Sequence, residues 1–161
     1  MKTICKILLL LLCAYSCQLK KDDPVTRIKD EKIEIEKIIR NSIEWAQNKD
    51  TALLYSIIAN DSDYLEVDPE DRVVKGITNF RKAEKFWLDP RFKAVRCEIW
   101  DLKITLSQDG TVAWFYCMLN DMNEWDGKPA CWMNTRWTGV LEKREGRWII
   151  VQMHFSFASD N

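Results

Sequence analysis

The chain has 161 residues, of which 47% are hydrophobic and 30% are charged, and its 24 basic and 25 acidic residues give a formal net charge of −1. This length allows one domain with a substantial core, and the five glycines and four prolines exclude a collagen-like or low-complexity chain. The charge balance excludes a strongly basic nucleic-acid-binding surface, so we expect no nucleic-acid partner.

The first 16 residues predict a secretory signal peptide. Lys2 and Lys6 precede an apolar run, residues 7–12, which is too short to stay in a membrane as a permanent span. Small residues then lead to Cys17, which resembles the lipidated cysteine of a bacterial lipoprotein signal. We therefore expect residues 17–25 to be a lipid-anchored tether and the protein to be a periplasmic or surface lipoprotein of the bacterial cell envelope. Ordinary secretion, with Cys17 incidental, is the alternative.

Residues 26–161 predict one α+β domain in which helices precede strands. Apolar residues at helical spacing indicate three helices, which end near Asn48, near Ala59 and at Leu88 before Pro90. The apolar pattern then changes to the period of strands, separated by turns rich in Asp and Gly. The predicted strands are residues 64–67, 72–75, 94–106, 111–125, 130–143 and 147–157.

The residues that commonly hold metals are sparse in this part of the chain. The predicted strand register brings no two of Cys97, Cys117 and Cys131 within bridging distance, so we expect three unpaired cysteines. The single histidine, His154, has no carboxylate cluster or paired cysteines near it in the sequence. There is also no glycine-rich phosphate loop, so we expect neither a metal nor a cofactor.

Several short motifs occur along the chain in an order and at a spacing that resemble those of a known family. They are Val67-Asp68-Pro69-Glu70, Val74-Lys75-Gly76 leading into Phe80 and Phe86-Trp87, Trp125-Asp126-Gly127, Thr135-Arg136, and Gly146-Arg147-Trp148 with Val151, His154 and Ser156. Together they resemble the nuclear transport factor 2-like superfamily, especially its SnoaL-like domains and the association domain of calcium/calmodulin-dependent kinase. The resemblance implies a cystatin-like cone, in which a strongly curved mixed or antiparallel sheet wraps the N-terminal helices and leaves a pocket at its wide end.

Arg136 is the main candidate for ligand binding. Pairing the last two strands through their Glu145-Gly146 turn predicts Arg136 opposite Phe155, on the sheet face that the helices cover. A guanidinium there needs an acid of the chain or an anionic ligand. The matching arginine of the kinase association domain lies in a pocket, so the resemblance implies a small acidic ligand, although that domain has a second arginine where Phe155 stands. The acids available for an ion pair are Asp101, Asp121 and Glu66. The predicted ligand-binding residues are Tyr64, Trp87, Trp132, Asn134, Arg136 and Phe155.

The opposite sheet face predicts a homodimer. The same register pairs Trp137 with His154 and leaves a tryptophan-rich surface uncovered, which monomers rarely tolerate. Packing of these tryptophans by the chain's own loops is the alternative. His154 is either a hydrogen-bonded interface residue or a proton-transfer group. The predicted interface residues are Trp114, Trp137, Trp148 and His154.

These features predict a secreted, lipid-anchored domain that forms homodimers and binds a small apolar molecule, with or without an acidic group. The sequence leaves open whether it catalyses a reaction. One alternative is an isomerase or hydratase similar to ketosteroid isomerase, in which Tyr64 and either Asp101 or Asp121 supply a donor and a carboxylate. The other alternative is a purely structural dimerisation domain.

Overall fold

The structure, a computed structural model, describes residues 23–158. The described residues fall into two units, with the boundary between Asp30 and Glu31. The described part of the first unit is exposed and includes the start of helix α1, Pro24–Asn48, whose leading proline suits a first helical turn. The predicted signal peptide and Cys17 lie outside the described residues, whereas the last two residues of the predicted tether, Pro24 and Val25, are helical.

In the second unit, α1 is amphipathic and is followed by shorter helical segments. Helix α2, Thr51–Ile57, is capped by Asp50, whose Oδ1 accepts a hydrogen bond of 2.9 Å from the Leu53 N–H. The single helix predicted to end at Leu88 is instead three segments. They are α3, Ile77–Phe80, a 3₁₀ turn, Arg81–Ala83, and α4, Glu84–Leu88.

The break in this helix brings two aromatic rings together. The Phe80 and Trp87 ring centroids lie 5.0 Å apart. A straight α-helix would separate residues seven positions apart by about 10 Å along its axis. The interrupted helix therefore forms a compact aromatic lid segment, defined here as residues 77–88, beside α1.

Seven strands form one mixed sheet. They are β1 Leu65–Val67, β2 Val73–Lys75, β3 Phe92–Leu106, β4 Val112–Trp125, β5 Lys128–Pro129, β6 Trp132–Arg144 and β7 Arg147–Ser156. The strand order is β2-β1-β7-β6-β4-β3, and the short β5 pairs with β4. β1 and β7 run parallel, and the other named pairs are antiparallel. Helices followed by a strongly curled mixed sheet confirm the predicted α+β class.

Register shifts in the long strands decide which side chains face the helices. Between β4 and β6, Leu119 pairs with Thr135 and Asp121 pairs with Trp132, so β6 carries one extra residue in this interval. Asn134 lies within it with φ of 53°, a conformation that asparagine tolerates better than most residues. Its N–H donates to Asn120 Oδ1 at 2.8 Å. This bulge allows both Trp132 and Thr135 to face inward.

A second shift corrects the predicted pairing of β6 with β7. The register slips between Val140 and Leu141, so Trp137 pairs with Phe155 and Arg136 pairs with Ser156. The predicted opposition of Arg136 and Phe155 is therefore wrong by one residue. Because one residue of slip exchanges the two faces of a strand, Arg136 is exposed on the outer face and Trp137 is inward.

The core lies between the inner sheet face and the helices. Trp137 is 0% exposed, and its ring is stacked on Phe155 with centroids 5.3 Å apart. Trp148 is also buried, and its Nε1 donates to the Glu31 carboxylate, which also pairs with Lys143. The three cysteines outside the first unit, Cys97, Cys117 and Cys131, are unpaired, as predicted.

Candidate functional site

A cavity of about 720 Å³ opens between α1, the lid segment, the β1–β2 hairpin and the ends of β4, β6 and β7. Its volume falls within the range of typical small-molecule sites. All of its lining residues belong to the second unit. The cavity is therefore the natural place to look for function in this unit.

Aromatic side chains make most of the apolar wall. On the helical side, the Trp45 and Trp87 rings meet edge to face at 5.6 Å. On the sheet side, the Trp132 and Phe155 rings lie 5.3 Å apart. Aromatic pairs at these distances stabilise one another beyond the burial of their area. The aromatic lining includes Trp45, Phe80, Trp87, Trp132, Phe155 and Phe157.

A polar cluster from the β1–β2 hairpin meets this wall. Glu66 is 5% exposed and accepts a hydrogen bond of 2.8 Å from the Tyr64 hydroxyl. Arg72 Nη2 donates to the other Glu66 oxygen at 3.1 Å, and Arg72 Nη1 lies 3.1 Å from Asp68 Oδ2. Tyr64, Glu66 and Asp68 share one face because strand side chains alternate. The hairpin therefore presents a connected acid–guanidinium network to the cavity.

Burial alters the proton affinity of this network. Burial raises the pKa of Glu66 to about 7, assisted by the nearby charge of Asp68, while Tyr64 and Arg72 oppose the rise. Burial also raises the pKa of Asp68, although Arg72 opposes this shift. The pKa of Tyr64 is raised well above its usual value by burial and by the Glu66 carboxylate. Glu66 can therefore exchange a proton near neutral pH.

A second acid reaches the cavity from β4. Asp121 accepts a hydrogen bond of 2.8 Å from Asn123 Nδ2, and both residues line the cavity beside Trp132, the cross-strand partner of Asp121. Burial raises the pKa of Asp121, and the Asn123 amide only partly offsets that effect. Among residues 23–158, no Lys or Arg side chain forms a salt bridge with Asp121.

The structure brings some of the predicted ligand-binding residues together and separates others. Trp87, Trp132 and Phe155 line the cavity, and Tyr64 is buried behind it through its bond to Glu66. Asn134 and Arg136 do not line the cavity; both are exposed on β6. The Arg136 guanidinium donates to the Phe157 carbonyl, and within residues 23–158 it forms no salt bridge with Asp101, Asp121 or Glu66.

The predicted interface residues also divide between the two faces. Trp114 is 48% exposed and His154 is exposed, both on the outer face. Trp137 and Trp148 are instead buried in the chain's own core, so their predicted position on the outer surface is wrong. The register slip described above is the cause, since it turns Trp137 inward.

Sequence reasoning missed Asp68 and Arg72 as cavity residues and gave Glu66 only as an ion-pair candidate. The signal was present in the alternation of Tyr64, Glu66 and Asp68, which a strand places on one face. Arg72 follows Asp68 by four residues, across a turn that returns it to the same hairpin.

Two further findings concern the described residues. Within residues 23–158, no group of three or more His, Cys, Asp or Glu side chains is arranged to hold a metal ion. No helix in that range combines the length and apolar character that a membrane crossing requires.

Helices followed by a strongly curled mixed sheet define the nuclear transport factor 2-like class of fold. The SnoaL-like domain family matches residues 35–160, and the chain belongs to that family. No curated protein matches the chain.

Solved structures share this fold at low sequence identity. A nuclear transport factor 2-like protein from Prochlorococcus marinus is 17% identical with a TM-score of 0.64, covering 81% of this chain and 94% of its own. A cystatin-fold relative from Novosphingobium aromaticivorans is 13% identical with a TM-score of 0.65, covering 88% and 94%. The association domain of Caenorhabditis elegans calcium/calmodulin-dependent kinase II is 17% identical with a TM-score of 0.59, covering 80% and 97%.

Proposed function

We propose that this domain binds a small, mainly apolar molecule in its 720 Å³ cavity. The observation that carries the proposal is that aromatic side chains and a few convergent polar groups line the same cavity, a combination typical of small-molecule sites. Arg136 is not part of this proposal, because its side chain lies on the outer face and does not line the cavity.

Filling the cavity tests this proposal. Ala46 lines the cavity from α1, so Ala46→Phe should occupy ligand space, whereas Ala52→Phe adds the same ring at an exposed position on α2 outside the cavity. We expect fragments that bind the purified full chain in ligand-observed NMR to lose affinity at least about tenfold in Ala46→Phe only. Equal binding to both variants, or no fragment binding to the unaltered chain, would contradict the proposal.

A second candidate function is proton-transfer catalysis of the isomerase type. It is favoured by Glu66, which has a pKa of about 7 at the cavity and could act as a base, and by Asp121, which could donate when protonated. Asp101 does not contribute, since it is exposed and does not line the cavity.

The isomerase candidate is tested with a β,γ-unsaturated ketone, whose conversion to the conjugated enone changes its ultraviolet absorbance. We expect Glu66→Gln to lower the rate by about 10² to 10⁴-fold. Glu124→Gln, an isosteric change on β4 outside the cavity, should leave the rate unchanged. A wild-type rate equal to that of buffer would reject this candidate.

We further propose that two copies associate through the outer sheet face. Trp100, Trp114 and Met133 are 39%, 48% and 46% exposed, which is unusual for large apolar side chains on one sheet. The fold shared with a kinase association domain supports this proposal. His154 is exposed on the same outer face and is the proposed polar member of the interface.

We also propose that the chain is secreted after removal of residues 1–16 and anchored to a bacterial envelope membrane through lipidated Cys17. The sequence pattern of a charged start, a short apolar run and a cysteine supports it. In a bacterial host, Cys17→Ala should move the protein from the membrane fraction to the soluble fraction and abolish incorporation of labelled fatty acid. Unchanged fractionation and labelling would overturn the anchor.

A further inference from the structure

The charges around the cavity are unbalanced. Four carboxyl groups line it, and the one guanidinium among its lining residues is that of Arg72. Arg72 is already committed, because its two terminal nitrogens lie 3.1 Å from oxygens of Glu66 and Asp68. The remaining acids, Glu70 and Asp121, form no salt bridge within residues 23–158.

Asp121 is the acid for which this imbalance matters most. It lies between the apolar Trp132 on the neighbouring strand and the neutral amide of Asn123, its hydrogen-bond donor at 2.8 Å. A carboxylate taken out of water without a compensating positive charge is costly, and burial accordingly raises its pKa. A cation entering the cavity would supply that charge, while an anion would meet no positive charge on the described lining residues beyond that of Arg72, which is already paired.

The aromatic walls favour the same kind of ligand. Trp45 and Trp87 on one side and Trp132 and Phe155 on the other bring four rings to one cavity. Ring faces carry partial negative charge and attract an ammonium group, more strongly when water is excluded. Rings and carboxylates together therefore suit a molecule with an apolar body and one positive charge.

We propose that the cavity selects small organic amines in their cationic form, with the ammonium group directed to Asp121 and the apolar body against the tryptophan rings. This inference rests on the proposed ligand-binding function and names the chemical class of its ligand. It replaces the small acid that the family resemblance implied, because Arg136 does not line the cavity and four carboxyl groups do.

Three probes with a common phenyl group separate charge from shape. They are 2-phenylethylamine, a cation at neutral pH, 2-phenylethanol, which is neutral, and 3-phenylpropanoate, an anion. Titrated by calorimetry or ligand-observed NMR against the purified full chain, the amine should bind about tenfold more tightly than the alcohol, and the anion should bind most weakly.

Matched variants locate the charge that produces the preference. Asp121→Asn keeps the size and the acceptor for Asn123, so it should weaken amine binding about tenfold while leaving alcohol binding within about twofold. Glu124→Gln removes a carboxylate from the same strand, where it pairs with Lys93 outside the cavity, and should change neither affinity. If Asp121→Asn fails to fold, Glu70→Gln removes an exposed carboxylate of the cavity lining and should weaken amine binding several-fold.

The outcomes separate this inference from the ligand-binding proposal. Equal affinity for amine and alcohol, or tighter binding of the anion, would overturn the charge preference but leave a working cavity. Amine binding that Asp121→Asn and Glu70→Gln leave intact would also overturn it. Failure of all three probes would overturn the inference, while fragment binding lost in Ala46→Phe would still support a ligand cavity of another chemistry.

Discussion

Glu66 is a carboxyl group held where its charged form is disfavoured. It is 5% exposed, and burial together with the charge of Asp68 raises its pKa to about 7, despite the hydrogen bonds that Tyr64 and Arg72 donate to it. In the folded state the group therefore holds its proton over a pH range in which the unfolded chain, with the usual pKa near 4.5, has released it. The contribution of Glu66 to stability therefore depends on pH, because its pKa differs between the folded and the unfolded state.

Stability should fall as the pH rises between about 4.5 and 7, because the folded state binds one more proton at Glu66 than the unfolded state does. Glu66→Gln removes that proton equilibrium. The free energy of unfolding of the variant relative to wild type should therefore increase by up to about 3 kcal/mol between pH 5 and pH 8. Urea denaturation at the two pH values measures this change.

Asp61→Asn provides the control for that experiment. The pKa of Asp61 is lowered by the hydrogen bond from the Asp63 N–H and by Arg144, so the stability it contributes is present above its usual pKa of 3.8 and is lost only as the pH falls below it. The Asp61→Asn difference should therefore be the same at pH 5 and pH 8. A Glu66→Gln difference that is equally constant would contradict the raised pKa.

Strand β6 is the element on which the core and the cavity both depend. Its inward residues include Thr135, Trp137 and Leu141, all 0% exposed. Gly139 lies between the last two, where a Cβ atom would come within 2.4 Å of Phe115 Cε1 and 2.7 Å of the Gln152 carbonyl oxygen. The absence of a side chain at this position allows the Phe115 ring to lie across the strand and meet Trp137 edge to face at 5.0 Å.

Gly139→Ala should therefore destabilise the domain by about 1–3 kcal/mol, although alanine usually suits a strand better than glycine. Chemical denaturation measures the loss. Phe115→Leu shortens the side chain that the new methyl group meets, so the double variant should be more stable than the sum of the two single changes predicts. Strictly additive effects would mean that the ring is not the obstacle.

The same strand shows how far the sequence predicts the structure. Phe115, Cys117 and Leu119 of β4 alternate with more exposed residues and are all buried, because that part of β4 is regular. Alternation failed on β6, where the register with β7 slips between Val140 and Leu141 and the extra residue at Asn134 interrupts the period of two. An asparagine tolerates positive φ, but many asparagines occur in ordinary backbone, so the residue alone does not locate a bulge.

The candidate site was predictable to the same extent. Helix and strand order, the tight turns and three aromatic wall residues, Trp87, Trp132 and Phe155, follow from patterning and family resemblance. The acidic lining does not, because β7 and β6 separate β1 from β4 in the sheet, and Asp121 and the β1–β2 hairpin line one cavity only once the sheet has curled. Pairings between distant segments leave little trace in local sequence.

At the scale of the whole molecule, the proposed association of two copies predicts the mass of a dimer in solution. One substitution on the outer sheet face should lower that mass. Trp114→Lys places a charge on the exposed apolar face and should weaken self-association at least about tenfold. Sedimentation equilibrium over a range of concentrations measures it. Val73→Lys, at a 49% exposed position on the edge strand β2, should leave the mass unchanged. A monomeric wild type, or equal masses for all three chains, would contradict the proposal.

The parallel pairing of β1 with β7 has a consequence for the order of folding. It joins Leu65 to Gln152, whereas the β3–β4 and β6–β7 pairs close through short turns. Closing a long loop costs conformational entropy before the contacts that offset this cost can form. We therefore expect β1 to dock after the antiparallel strands β3, β4, β6 and β7 have paired. Backbone amides of β1 should then exchange with deuterium faster than those of β4. Glu66 would leave and rejoin the cavity wall with β1, giving a ligand a route in and out while the rest of the domain stays folded.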